Sequence, residues 1–195
     1  MFEALVRPHL QLGVRSALEV GCGSAGWARK IAQALPATQV FGTDLSEGMI
    51  AAARAILESD PAPNAKLATW NVLEAAAFPF GDRRFDLIFS SVMIPYLGDE
   101  ETERAIATLA SRLAPGGKLL LLEQDYPSES LSFPDYELLR RVIPKYNRPL
   151  KRTLNLGLRP LLRAAGLSVQ PRTSFLWADD GYGPYTQDVL LRYGA

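Results

Sequence analysis

The chain has 195 residues, 21 Lys and Arg against 21 Asp and Glu, and a formal net charge of zero. That balance disfavours a general nucleic-acid binder, which shows a basic excess. A single cysteine and a single histidine exclude a disulfide framework and a Cys/His metal cluster, so no metal is expected. No apolar run approaches the roughly 18 residues of a membrane span, and the first residues lack a signal-peptide core. The expected setting is the cytoplasm, and the expected form is a single domain over 1–195, as a monomer or homodimer.

Residues 2–12 read as a short helix broken near Pro8, with His9 as a general-base candidate. Ser16–Val20 is an apolar run that ends beside Glu19 and feeds Gly21-Cys22-Gly23-Ser24-Ala25-Gly26. A helix follows over about Gly26–Leu35, closed by Pro36. Strand, glycine turn and helix make the first unit of a doubly wound α/β sheet. Gly21 and Gly23 allow a sharp turn and a close backbone approach to a ligand. The helix N-terminus behind them offers N–H groups to an anion.

Gln39–Asp44 is a second short strand ending in an acid. Asp44 stands 23 residues after Gly21, the distance at which an acid meets a ribose in such folds. A turn or cap aspartate is the plainer alternative. Ser46 is placed to cap a helix over Glu47–Glu58. Ser59–Asn64 is a loop, and Lys66–Trp70 a third strand with Asn71 and Val72 at its end. Another loop, Ala77–Asp82, leads into the apolar strand Asp86–Val92, and Met93-Ile94-Pro95-Tyr96-Leu97 leaves its carboxyl end. A helix spans about 100–113, Pro115-Gly116-Gly117 forms a tight turn, and Lys118–Glu123 is a fifth strand. Residues 128–155 read as an insertion with prolines at 134, 144 and 149. A helix over Arg159–Ala165 ends at Gly166. Leu167–Val169 follows as a strand, and Thr173–Trp177 or Val189–Tyr193 as the last. Eight Lys and Arg with no acid between Arg140 and Arg163 would attract an anionic substrate or simply line solvated helix faces.

Gly21-x-Gly23-x-x-Gly26 alone matches a dinucleotide fingerprint. Glu19 argues against that, because a carboxylate beside the turn repels a pyrophosphate. It suits a ligand bearing an ammonium and a sulfonium, such as S-adenosylmethionine (SAM). A solvated strand-end charge is the blander explanation of Glu19. Glu19-x-Gly21-x-Gly23-x-x-Gly26 resembles motif I of the class I SAM-dependent methyltransferases. Asp44, Asn71, the Phe78-Pro79-Phe80…Arg84-Phe85-Asp86-Leu87-Ile88 segment and Leu113-Ala114-Pro115-Gly116-Gly117 follow in that family's order.

The resemblance covers 16–123 and implies a Rossmann-like α/β fold. Its sheet would have seven mostly parallel strands, with helices on both faces. It implies SAM as the cofactor, held by Glu19, Gly21, Cys22, Gly23, Asp44, Leu45, Met49, Asn71, Val72 and Ser90. It also suggests the branch acting on small molecules, here an aromatic or apolar acceptor. A sulfonium is an already activated donor, so alignment and water exclusion suffice, and no base is required unless the acceptor holds its proton. The catalytic group is therefore left unnamed; Tyr96 and Tyr126, after strands four and five, are candidates beside His9. The short N-terminal stretch points to 128–155 and the tail with Trp177, Tyr182 and Tyr185 as the lid. Two other readings stay open: a SAM-binding enzyme that catalyses a cyclisation, and a non-catalytic subunit of the same fold.

Overall fold

The computed structural model describes residues 10, 13–91, 93–122 and 164–166. Five parallel strands form one sheet: β1 (Ser16–Val20), β2 (Gln39–Asp44), β3 (Ala65–Thr69), β4 (Phe85–Ser91) and β5 (Leu113–Leu122), in the order β3-β2-β1-β4-β5. Three helices connect them: α1 (Gly26–Ala34), α2 (Glu47–Ser59) and α3 (Asp99–Ser111). Every strand begins or ends within a few residues of its sequence expectation, because each is a continuous apolar run bounded by a turn. The expected sixth and seventh strands lie outside the described residues.

Alternation along the strands sorts the core into two layers. Leu18, Phe41, Ile88, Leu119 and Leu121 face α3, whose Ala105, Ile106 and Leu109 they bury. Ala17, Val40, Leu87, Phe89 and Leu120 face α1 and α2, meeting Ala28, Ile31, Ala32, Ile50 and Ala53. Each fully buried Leu, Ile or Phe contributes about 1.5–3 kcal/mol of transfer free energy. Small alanines on α1 and α2 let those helices lie close to the sheet.

Two segments differ from expectation. The Pro115-Gly116-Gly117 turn is not a separate connection but an irregularity inside β5. Phe85 and Leu87 of β4 pair with Leu113 and Lys118, so five residues of one strand advance past two of the other. Gly116 takes φ +76°, and a Cβ on Gly117 would fall 2.6 Å from the Phe85 carbonyl oxygen. The excess chain fits only because those positions lack side chains. The loop after β3 is also more ordered than expected. Trp70, Phe78, Phe80, Phe41 and Phe85 stack edge to face, with ring centroids 4.8–6.0 Å apart. That aromatic cluster seals the layer beneath the carboxyl end of β3.

The chain visits β1, β2 and β3 on one side and then crosses to β4 and β5 on the other. Strand order therefore reverses between β1 and β4, and the carboxyl ends there leave a crevice.

Candidate functional site

The glycine turn occupies that crevice, and it is a strained segment held at several points. Gly21, Gly23 and Ala25 all have positive φ, at 72°, 52° and 57°. Ala25 is the costly one, since a Cβ disfavours the left-handed region by roughly 1–2 kcal/mol. The Cys22 N–H donates to the Thr43 carbonyl at 2.9 Å. The Gly23 N–H donates to Asp44 Oδ2 at 2.8 Å.

Asp44 has a second partner, the Ser46 N–H, which donates to Oδ1 at 2.9 Å. Ser46 in turn caps α2 by accepting from the Met49 N–H at 3.2 Å. The plainer turn role of Asp44 is thus present in the structure. Each carboxylate oxygen still has a lone pair for a further donor, and the group is only half-buried.

A cavity of about 550 Å³ opens beside the turn. Gly21, Gly23, Asp44, Leu45, Met49, Asn71 and Val72 from the expected set line it, together with Tyr96. Val20, Ser46, Trp70, Met93 and Leu97 line it too and were not among the expected cofactor residues. Their signal was adjacency: each neighbours a named residue at a strand end. Met49 Cε would stand 3.3 Å from a Cβ on Gly23, and Met93 Cβ 3.4 Å from one on Gly21. Side chains at those two positions would narrow the cavity from the turn side. Leu45, Met49 and Tyr96 are exposed, leaving an apolar rim.

Three of the expected cofactor residues do not line this cavity. Glu19 is only 1% exposed and lies off the cavity wall. Alternation puts it on the same face of β1 as Ala17, under α1, and its Oε2 accepts from the Ala28 N–H at 2.7 Å. Burial above all, and the Asp44 charge to a lesser degree, push its carboxyl up to about 8, against the lowering by Ala28. Cys22 is buried, its sulfur packed against Gly42, and burial together with Glu19 and Asp44 pushes its thiol up. Ser90 is fully buried between Val20 and Leu121, and its hydroxyl has no hydrogen-bond partner among the described residues.

Asn71 lines the cavity, but its side chain is closed on its own turn. Oδ1 accepts from the Leu73 N–H at 3.1 Å, and Nδ2 donates to Glu74 Oε1 at 3.1 Å. Tyr96 sits on a short 3-10 turn, Ile94–Tyr96, that leaves β4 with Ile94 as its buried anchor. His9, Tyr126, the 128–155 insertion, the basic run and the aromatic tail lie outside the described residues. Among the described residues, no group of three or more His, Cys, Asp or Glu is placed to hold a metal ion. No helix among them is long and apolar enough to cross a membrane.

Residues 17–117 match the model of a family described as a methyltransferase domain. A trans-aconitate 2-methyltransferase of Variovorax paradoxus is 31% identical over 140 residues, 72% of this chain and 48% of that protein. A demethylmenaquinone methyltransferase of a Geobacillus species is 28% identical over 127 residues, 65% of this chain and 52% of its own. Among solved structures, a SAM-bound amino pentose methyltransferase from Micromonospora echinaspora is 28% identical with a TM-score of 0.51. That match covers 62% of this chain and 47% of the other. The chain spans about half the length of these relatives or less. With the fold, the glycine turn and a matched region of more than half its length, the chain belongs to the methyltransferase-domain family, among the class I SAM-dependent methyltransferases.

Proposed function

We propose that the protein binds SAM in the cavity beside the glycine turn and transfers its methyl group to a small molecule. The observation that carries this reading is the juxtaposition of Gly21, Gly23 and Asp44 with Leu45, Met49 and Val72 around one cavity at the strand-order reversal. Those residues suit the cofactor piece by piece. The turn offers N–H groups to a carboxylate. Asp44 offers oxygens to a pair of ribose hydroxyls, and its hold on Gly23 keeps the turn and the ribose site in register. Leu45, Met49 and Val72 offer an apolar slot for a purine, with Asn71 at its edge.

When bound, SAM supplies an electrophilic methyl on a sulfonium. What remains for the protein is to orient the acceptor in line with that bond and exclude water. Met93, Tyr96 and Leu97 form the apolar wall on the β4 side, where an acceptor would approach. An exposed tyrosine on an apolar rim favours a flat or apolar acceptor by burial and ring stacking. The named substrates of the relatives range from trans-aconitate to demethylmenaquinone, so the acceptor class rests on this wall alone.

Calorimetry with SAM, S-adenosylhomocysteine and NAD tests the cofactor. Binding of the first two and not the third is expected; binding of NAD alone overturns the reading. Release of S-adenosylhomocysteine in the presence of a panel of phenols, quinols and carboxylic acids tests transfer. Tight SAM binding with turnover that leaves the methyl in place would instead assign a non-methylating reaction.

A further inference from the structure

Helix α1 begins without a cap of its own. The first N–H groups of a helix have no partner within it, and the third is ordinarily satisfied by a Ser, Thr, Asp or Asn side chain at the N-cap. Here the N-cap is Ala25, which has no side-chain oxygen and takes φ +57°. The N–H of the third helical residue, Ala28, is satisfied instead by Glu19 Oε2 at 2.7 Å, from nine residues upstream on β1. Glu19 thus reaches under the turn and ties the start of α1 to the sheet. Asp44 ties the turn from the other side through Gly23. Between Glu19 and Ala28 lie the three positive-φ residues of the turn, Gly21, Gly23 and Ala25. A turn in that conformation persists only where its surroundings over-determine it.

We propose that Glu19 is a positioning residue for the cofactor site: it replaces the missing N-cap of α1, holds the glycine turn in its binding shape, and makes no contact with the cofactor. This rests on the proposed function above. It reassigns the acid of the motif from a charge facing the ligand to a buried acceptor facing the helix. The 1% exposure of Glu19 and its absence from the cavity wall both follow from that orientation. Burial raises its carboxyl to about 8, which disfavours its charge, while Oε2 accepts from the Ala28 N–H.

The distinction is testable because glutamine keeps the acceptor and loses the charge. Glu19→Gln and Glu19→Ala are compared with the parent by amide hydrogen exchange at Ala28 and by calorimetry with S-adenosylhomocysteine and 5′-methylthioadenosine. The second probe has the nucleoside and thioether but no amino-acid group. In Glu19→Gln, Ala28 protection and both affinities should stay within about threefold of the parent, since the amide oxygen still accepts from the Ala28 N–H. In Glu19→Ala, exchange at Ala28 should accelerate tenfold or more, and both probes should weaken by a similar factor. Two results overturn the proposal. One is a tenfold or larger loss of S-adenosylhomocysteine in Glu19→Gln with 5′-methylthioadenosine unaffected, which would put the charge on the ligand's ammonium. The other is unchanged Ala28 exchange in Glu19→Ala. If Glu19→Ala does not fold, the glutamine variant decides alone. Failure of the parent to bind either probe overturns the cofactor reading, and the Ala28 exchange still decides whether Glu19 is the cap.

Discussion

Removing the Asp44 carboxylate takes away two backbone anchors as well as the expected ribose acceptor. Asp44→Ala should therefore weaken S-adenosylhomocysteine by about 2–4 kcal/mol, the worth of a charge-assisted pair of hydrogen bonds. It should also lower the melting temperature, because the Gly23 and Ser46 N–H groups lose their partner. Calorimetry and thermal unfolding on one sample separate the two effects, and a variant with full affinity would remove Asp44 from the site. Glu19 adds a pH dependence of definite sign. Its carboxyl sits near 8 when folded, against an ordinary value near 4.5. Between those values the folded protein keeps a proton that the unfolded chain has released. The contribution is fully present below about 4.5 and is lost as pH rises to about 8, at on the order of 1.4 kcal/mol per pH unit or less. Glu19→Gln should flatten this slope, making the variant relatively more stable at pH 8.5 than at pH 5.5. Urea unfolding at the two pH values checks it, and parallel slopes would refute it.

Among elements, β5 and the start of α1 use glycine for different reasons. Gly117→Ala would drive a Cβ to 2.6 Å from the Phe85 carbonyl and 2.9 Å from that of Ala114. Both are backbone atoms of the β4–β5 ladder and cannot swing aside. A loss of about 1–3 kcal/mol is expected, the usual cost of forcing atoms into a packed interior. Gly26 stands in contrast. It is the third glycine of the motif, yet beyond its chain neighbours and its own helix backbone no heavy atom of the described residues lies within 4 Å of its Cβ position, and its φ is not positive. Gly26→Ala should be neutral or slightly stabilising, since alanine loses less conformational freedom in a helix. Denaturant midpoints of the two variants test the pair. A destabilised Gly26→Ala would mean that the turn needs a freedom its geometry does not display.

Across the whole molecule, the reversal of strand order brings parts distant in the chain to one opening. Gly23 and Asp44 come from the first 44 residues, Asn71 and Val72 from the turn after β3, and Met93, Tyr96 and Leu97 from beyond β4. Tyr96 is 58% exposed on the rim, so its ring contributes little to the core. Tyr96→Ala should cut turnover of an identified acceptor by tenfold or more while S-adenosylhomocysteine affinity and melting temperature change little. Steady-state kinetics with calorimetry decide this. If turnover is intact, the acceptor lies elsewhere.

The sequence by itself determined the strands, the helices and the candidate turn, because each is written in local terms. Continuous apolar runs marked buried parallel strands, Ser46 marked a cap, and Gly21 and Gly23 marked a backbone path that side chains resist. Asp44, Leu45, Asn71 and Val72 were legible as strand-end neighbours of that turn, and Met49 as a residue of the helix that follows Leu45. Direction and depth were not legible. Whether Glu19 faced the ligand or α1 depended on which side of β1 the helix packed. The same ambiguity hid the burial of Cys22 and Ser90. The Asn71 amide was captured by Glu74 and the Leu73 N–H, a local bond that competes with any ligand. Pro115-Gly116-Gly117 has the composition of a turn, and only pairing against β4 made it an irregularity within a strand. Those outcomes depend on which surfaces meet once layers pack, a property of the folded whole rather than of any one stretch.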